Sequence, residues 1–349
     1  MRRLPVYFLI DVSESMVGEP IQQVEQGMRQ IVQELRTDPY ALETVVVSII
    51  AFAGKATTLL PLTELYKFYP PVFPIGGGTS LGKALDYLMD DMEKNVVKTT
   101  TEAKGDWKPI VFLFTDGTPT DDPQSAFARW NKKYRTKANI IAISIGDNAD
   151  TQLLGQISDN VFRLSDTDEM SFKAFFKWIT ASIQTTSVSV SMMGEDDVKL
   201  PSTSGINLEK VDGSETCIVD ENFVVLTGKC SNTKKMYLMK YVKQPLMIDG
   251  YPASGIDGSQ FRLVGAYPID ENAYNSLGDG KSKRYINTKS LLGAPSCPCC
   301  GAQFGLVVCG DCGNIMCMDD RTSECPWCGA KGELCDGDPE GMDITRGRG

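Results

Sequence analysis

Hydrophobic positions along the first half of this chain alternate between two rhythms. Nearly continuous apolar runs at 6–10, 45–52, 110–114, 140–145 and 161–164 read as strands buried on both faces. Between them, apolar residues recur every three or four positions. Ile21, Val24, Met28, Ile31, Val32 and Leu35 form one such stripe, Leu81, Ala84, Leu85, Leu88, Met89 and Met92 another, and Phe172, Phe175, Phe176, Ile179 and Ile183 a third. Each is the inward face of an amphipathic helix. Gly18 and Pro20 mark the start of the first helix and Asp38-Pro39 its end. Residues 57–62 fit an edge strand beside 45–52. Strands alternating with helices predict an α/β fold, a mostly parallel sheet with helices on both faces, over residues 1–187.

From Ser187 the pattern changes to alternating Val and Ser, then to short β-prone runs between Gly, Asp, Asn and Ser clusters. This predicts a small β-rich domain over 188–292, with strands at 217–219, 223–226, 236–242 and 261–267. Cys217 and Cys230 fall within it and read as small buried residues. Residues 293–337 form a cysteine-rich module, and 338–349, rich in Gly, Asp and Arg, read as a disordered tail.

The first strand stops abruptly in Asp11, followed by Ser13 and Ser15. Ligands of open α/β sheets gather at the carboxyl ends of the strands, where these oxygens stand. Two further stretches point to the same place. Gly76-Gly77-Gly78-Thr79-Ser80 opens a helix, and the strand at 110–114 runs into Thr115-Asp116-Gly117. Carboxylates and hydroxyls suit a hard divalent cation such as Mg²⁺, Mn²⁺ or Ca²⁺. Helix capping is the competing role for Asp11, Ser13 and Thr79. The glycines lack a following Gly-Lys-Ser/Thr, which argues against a phosphate loop.

Composition narrows the chemistry. The 349 residues carry 45 acidic and 35 basic side chains, a net charge of −10, which argues against a phosphate-tracking surface and so against nucleic acid as partner. The first apolar run is too short for a signal-peptide core or a membrane span, so a cytoplasmic, membrane-free protein is expected. With no histidine at all, Ser-His-Asp, Cys-His and His-ligated zinc catalysis are excluded.

In a reducing compartment, cysteines crowded into a short stretch point to metal rather than disulfides. Cys297/Cys300, Cys309/Cys312 and Cys325/Cys328 are three CxxC pairs, each followed by glycine, and Cys317 and Cys335 complete eight candidate zinc ligands. One or two Zn²⁺ are expected. A ribbon would use Cys297, Cys300, Cys309 and Cys312 for one ion and Cys317, Cys325, Cys328 and Cys335 for the other. A RING-like cross-brace would use Cys297, Cys300, Cys317 and Asp320, with Cys309, Cys312, Cys325 and Cys328. Both patterns remain open, and Cys299 belongs to neither.

The DxSxS motif with Thr79 and Asp116 resembles the metal-ion-dependent adhesion site of von Willebrand factor A domains, which have a Rossmann-like fold. Residues 1–7, 38–44, 104–109 and 115–122, with the cysteine-rich end, look like the TerY branch of bacterial tellurium-resistance and stress gene clusters. The resemblance implies a metal-dependent adaptor. Asp11, Ser13, Ser15, Thr79 and Asp116 would hold the cation, and an acidic residue of a partner would complete its coordination. Such genes commonly accompany a protein kinase and a protein phosphatase, which are the expected partners. The alternative is a Mg²⁺-dependent phosphohydrolase, which needs a nucleophile or base nearby. Asp121 and Asp122 are the nearest candidates, while Ser13 stands where a second aspartate would serve as acid and base.

Overall fold

The strand β1, Leu4–Asp11, is buried along its whole length and is an inner strand, third in the order of a seven-stranded sheet. The structure is a computed structural model that describes the chain apart from residues 1, 147–148, 166–167, 193–197, 212–221, 245–246, 249–250, 253–259, 281–283, 320–321, 336–339 and 348–349. It comprises two units. The first contains Met1–Val12, Glu19–Phe73 and Thr79–Val219, and the second Ser13–Gly18, Pro74–Gly78 and Asp220–Gly349.

In the first unit β2 (Val45–Phe52) and β4 (Ile110–Thr115) flank β1 in parallel, and β5 (Asn139–Ile145) and β6 (Asn160–Leu164) continue the parallel order. β3 (Ala56–Glu64) and β7 (Leu208–Lys210) close the two edges in antiparallel pairing. Alternate side chains of β1 enter two cores. Tyr7 and Leu9 join the stripes of α3 (Leu81–Asn95) and α4 (Gln124–Lys133). On the other face Phe8 stacks on Phe112 and Phe114, and Phe114 meets Phe175 and Phe176 of α6 (Glu169–Met192).

The short helices α2 (Pro39–Thr44) and α5 (Thr151–Gly155) lie against α6 and β6 respectively, and α6 packs on α1 (Glu19–Leu35). At their crossing, a Cβ on Gly27 would stand 2.1 Å from two carbons of the Phe176 ring. Phe176 is itself buried, so the ring cannot swing away. Gly27→Ala should destabilise the protein by about 1–3 kcal/mol, the usual cost of overpacking, which outweighs the roughly 1 kcal/mol of helix propensity that Ala gains over Gly. A denaturant titration checks this, and an unchanged or raised midpoint would contradict it.

α6 corrects the expected domain boundary at 187. The helix runs on through the alternating Val and Ser to Met192, because Ile183, Thr186, Ser187 and Val190 continue its buried face at helical spacing; upstream, buried hydroxyls bond back along it, Thr180 to the Phe176 carbonyl (3.0 Å), Ser182 to Trp178 (2.8 Å) and Thr186 to Ser182 (2.8 Å). A buried helical face thus overrides a local β-like pattern.

In the second unit one six-stranded sheet takes strands from both segments expected to be separate domains. Its order is Leu291–Leu292, Gln260–Ile269, Met236–Gln244, Phe223–Lys229, Ile315–Met318 and Phe304–Val308. The strand bearing Cys317 pairs in parallel with Phe223–Lys229, with Ile315 opposite Gly228, so the expected boundary between 292 and 293 dissolves. The expected disorder of the tail is likewise corrected over its described part. Asp343–Thr345 pairs antiparallel with Tyr285–Asn287, and Ile344 is buried in the same core as Val224, Leu226 and Tyr241. One well-placed apolar side chain anchors the otherwise polar segment. The expected strand at 217–219, with Cys217, lies outside the described residues.

Candidate metal centres

Parallel pairing sets Ile10 of β1 beside Phe114 of β4, so the loops that follow leave the sheet side by side. Asp11 ends β1 fully buried, and Asp116 follows β4 at 5% exposure. Thr115 Oγ1 donates to Asp11 Oδ2 at 2.7 Å, tying the two loops together. The third loop is drawn in by backbone bonds. Ser80 N–H donates to the Ala53 carbonyl at the end of β2 (2.7 Å), and Thr120 N–H donates to the Thr79 carbonyl (2.7 Å). Asp11, Thr79 and Asp116 therefore converge at the carboxyl ends of β1, β2 and β4.

Thr79 tests whether a cation fits. Its N–H donates to Thr120 Oγ1 (3.0 Å), but its own hydroxyl, in a residue 1% exposed, has no hydrogen-bond partner. An orphaned buried hydroxyl costs about 1–3 kcal/mol. A cation held with Asp11 and Asp116 would supply its missing partner. Thr118 Oγ1, on the Asp116 loop, is a second buried hydroxyl oxygen without a partner, and its lack of a motif kept it out of the sequence reading.

Helix capping does not account for these residues. The N-terminus of α3 is satisfied by Asp121, which accepts from Gly82 N–H (3.4 Å) and Lys83 N–H (3.2 Å), while Ser80 makes no capping bond. Ser13 and Ser15 follow Asp11 along the chain. Ser13 makes no side-chain cap on the turn Glu14–Met16, and its Oγ lies 3.0 Å from Ser15 Oγ. Asp122 accepts from Gln124 N–H (3.1 Å). The two carboxylates considered for acid–base chemistry are thus spent on backbone N–H groups.

The cysteines gather into two groups whose sulfurs all lie within 4.8 Å of one another: Cys230, Cys297, Cys300 and Cys317, and Cys309, Cys312, Cys325 and Cys328. The distances Cys300–Cys317, Cys309–Cys328 and Cys312–Cys325 are each 3.8 Å. Four sulfurs set tetrahedrally around zinc at about 2.3 Å stand roughly 3.8 Å apart, so the spacing fits that ion. Each group supplies four thiols, the complement of a closed structural site. The partition is cross-braced rather than ribbon-like, since Cys317 of the first group falls between Cys309/Cys312 and Cys325/Cys328 of the second. Cys335 lies in neither group, against its expected place among the ligands, because each is complete without it. Asp320 lies outside the described residues.

Cys230, expected to be a small buried residue, is the ligand that the sequence reading missed. The backbone shows why it belongs. Gly301 N–H donates to the Cys297 carbonyl and Cys297 N–H to the Ala302 carbonyl (both 2.8 Å). The same two bonds recur at Cys309 with Gly313 and Asn314, and at Cys325 with Gly329 and Ala330. They recur once more at Cys230 with Lys234 (3.0 Å) and Lys235 (2.9 Å). The fourth position after each cysteine has positive φ, 79° at Gly301, 70° at Gly313, 79° at Gly329 and 59° at Lys234. Lys234 is a non-glycine residue in this region, which hid the knuckle from a search for Cys-x-x-Cys-Gly.

One thiol in each group is drawn toward thiolate, the form that binds metal, while burial holds Cys297, Cys317 and Cys325 above the ordinary thiol value and Cys328 is raised as well. Burial pushes Cys230 up, but hydrogen bonds from Thr233, Cys300 and the Asn232 backbone outweigh it and bring the thiol down to about 6. At Cys312 burial again acts upward, and bonds from Asn314, Cys328 and Cys309 bring it down to about 7. Thr233 N–H lies 3.2 Å from Cys230 Sγ and Ser231 N–H 3.2 Å from Cys317 Sγ. Such N–H···S bonds support a metal-bound thiolate.

A mostly parallel sheet carrying an oxygen-lined site at its strand ends defines a von Willebrand factor type A domain, and residues 6–177 match that family model. Residues 220–349 match the TerY-C metal binding domain, so the chain carries a von Willebrand factor type A domain followed by a TerY-C metal binding domain. Similar solved structures include proximal thread matrix protein 1 from the mussel byssus with a zinc-occupied MIDAS motif, at 20% identity and a TM-score of 0.37 over 53% of this chain and 46% of that one. Pilus adhesin SpaC from Lactobacillus rhamnosus GG is another, at 13% identity and a TM-score of 0.43 over 53% of this chain and 31% of that one. Conserved hypothetical protein BatB from Bacteroides thetaiotaomicron matches at 16% identity and a TM-score of 0.36 over 52% of this chain and 99% of that one. The chain spans under half the length of the byssus and pilus proteins. Among the described residues no helix is long and apolar enough to cross a membrane.

Proposed function

We propose that this protein is a non-enzymatic adaptor that recognises protein partners through a divalent cation, Mg²⁺ or a similar hard ion, held by Asp11, Ser13, Ser15, Thr79 and Asp116. The observation that carries this reading is the buried, partnerless Thr79 hydroxyl on the loop that meets Asp11 and Asp116. Two carboxylates balance a dication, and three hydroxyls complete part of its shell without adding charge. The ion keeps affinity for one more anionic oxygen, which a partner's Asp or Glu would supply. The two thiol groups would hold structural Zn²⁺ and stabilise the second unit.

In keeping with the resemblance, the partners are a cytoplasmic protein kinase and protein phosphatase encoded in the same tellurium-resistance or stress gene cluster. A hydrolase reading has no support from Asp121 and Asp122, which accept backbone N–H groups. The test is capture of the clustered kinase and phosphatase by the tagged protein, with Mg²⁺ present or omitted while metal analysis confirms that zinc stays bound. Capture should require Mg²⁺, and the protein alone should show no phosphoesterase turnover. Ion-independent capture, or turnover that Asp116→Ala removes, would refute the reading.

A further inference from the structure

At the amino ends of β1 and β4, the pole of the sheet opposite Asp11 and Asp116, the first unit holds a cavity of about 660 Å³. That volume falls in the range of small-molecule sites, roughly 300–1,000 Å³. The segment from Lys104 to Pro109, which the metal chemistry leaves unexplained, builds one wall. Its loop is held by its own bonds, with Asp106 N–H on the Val97 carbonyl (2.9 Å) and Gly105 N–H on Thr99 Oγ1 (3.0 Å). Gly105 is required there, because a Cβ would stand 2.3 Å from the Val97 carbonyl oxygen.

The lining is basic in a protein of net charge −10: Arg2, Lys98, Lys108 and Lys137 face only Glu93 and Asp106. Both acids are already engaged. Asp106 takes Arg3 in a two-point pair (2.9 and 2.6 Å) and the Val97 N–H (2.8 Å). Glu93 takes Lys98 and the Tyr134 hydroxyl. Among the described residues no carboxylate forms an ion pair with Arg2, Lys108 or Lys137. Like charges gathered around one cavity repel unless an anion joins them.

The cavity also offers a flat apolar surface. The Arg2 guanidinium lies 3.4 Å from the centroid of the Trp107 ring and is fixed there by bonds to the carbonyls of Gly105 (2.7 Å) and Asp106 (3.3 Å). Met92, Val96 and Pro109 complete the apolar wall. Guanidinium and indole planes stack on nucleobases, and ammonium groups pair with phosphates.

We propose that this cavity binds a nucleotide, with its base against the Arg2–Trp107 platform and its phosphates at Lys108 and Lys137. The site shares no residue with the cation site, so the inference stands apart from the adaptor reading. The test titrates the full-length protein, in Mg²⁺-free buffer with zinc retained, with ATP, GTP and AMP in separate arms. Inorganic phosphate and a polyglutamate peptide form two more arms. Tryptophan quenching and calorimetry are the readouts. At least one nucleotide should saturate below about millimolar concentration. Lys108→Glu and Lys137→Glu should each weaken it at least about tenfold, Trp107→Leu should remove the quenching, and Asp11→Ala should leave the affinity unchanged. The proposal is overturned by absence of saturable nucleotide binding, by binding indifferent to Lys108→Glu and Lys137→Glu, or by binding of phosphate or peptide alone.

Discussion

Replacing Cys230 by serine should cost the protein one of two expected zinc ions and destabilise the sheet that the ion would fasten. Cys230 sits where strand Phe223–Lys229 turns toward Met236–Gln244, and its partner thiol Cys317 lies on strand Ile315–Met318 of the same sheet. The ion would cross-link chain segments far apart in sequence, and structural zinc contributes on the order of 10 kcal/mol of folding free energy. Serine keeps the size but loses the soft, ionisable sulfur, so three thiolates remain for that ion. Metal analysis should give two zinc equivalents for the parent protein and one for Cys230→Ser, with a lowered melting temperature. Cys335→Ser and Cys299→Ser lie outside both thiol groups and should retain two. Full zinc content in Cys230→Ser, or loss of zinc in Cys335→Ser, would overturn the assignment.

Cys230 also marks where the sequence ceased to be readable. The inner strands β1, β2 and β4 announce themselves because each is a nearly continuous apolar run, as burial on both faces demands, and the loops at their ends carry the oxygens of the site, whereas β7, with one buried residue of three, leaves no such run. In the second unit the knuckle at Cys230 carries the same two backbone bonds as the three CxxC knuckles. Thr233, however, stands at the second ligand position and Lys234 at the glycine position. Its metal role is set by the long-range approach of Cys317, which no local pattern encodes. The same limit explains α6 and the tail. A buried face through Ile183, Thr186, Ser187 and Val190 made a β-like Val-Ser alternation into helix, and pairing with Tyr285–Asn287 ordered a segment whose composition alone predicts disorder.

Losing a single carboxylate from the proposed cation site should abolish partner binding while leaving the fold intact. Asp11 and Asp116 end strands that remain buried and paired whether or not a cation is bound, so Asp11→Ala removes a ligand and its charge without opening the core. It does forfeit the 2.7 Å bond from the buried Thr115 hydroxyl to a charged acceptor, a cost of about 1–3 kcal/mol. Removal of one of two carboxylates that repel across an ion-free site offsets part of that loss. Thr79→Ala should be milder, because it deletes a neutral ligand and at the same time relieves the orphaned hydroxyl. Melting temperature should therefore stay close to the parent in Asp11→Ala and stay equal or rise in Thr79→Ala. Mg²⁺-dependent capture of the kinase or phosphatase should vanish in the first and weaken in the second. On the partner, alanine at the acidic residue that completes the coordination should weaken capture about as much as Asp116→Ala does. A folded Asp11→Ala protein that still captures its partner in the presence of Mg²⁺ would show that recognition does not pass through this ion.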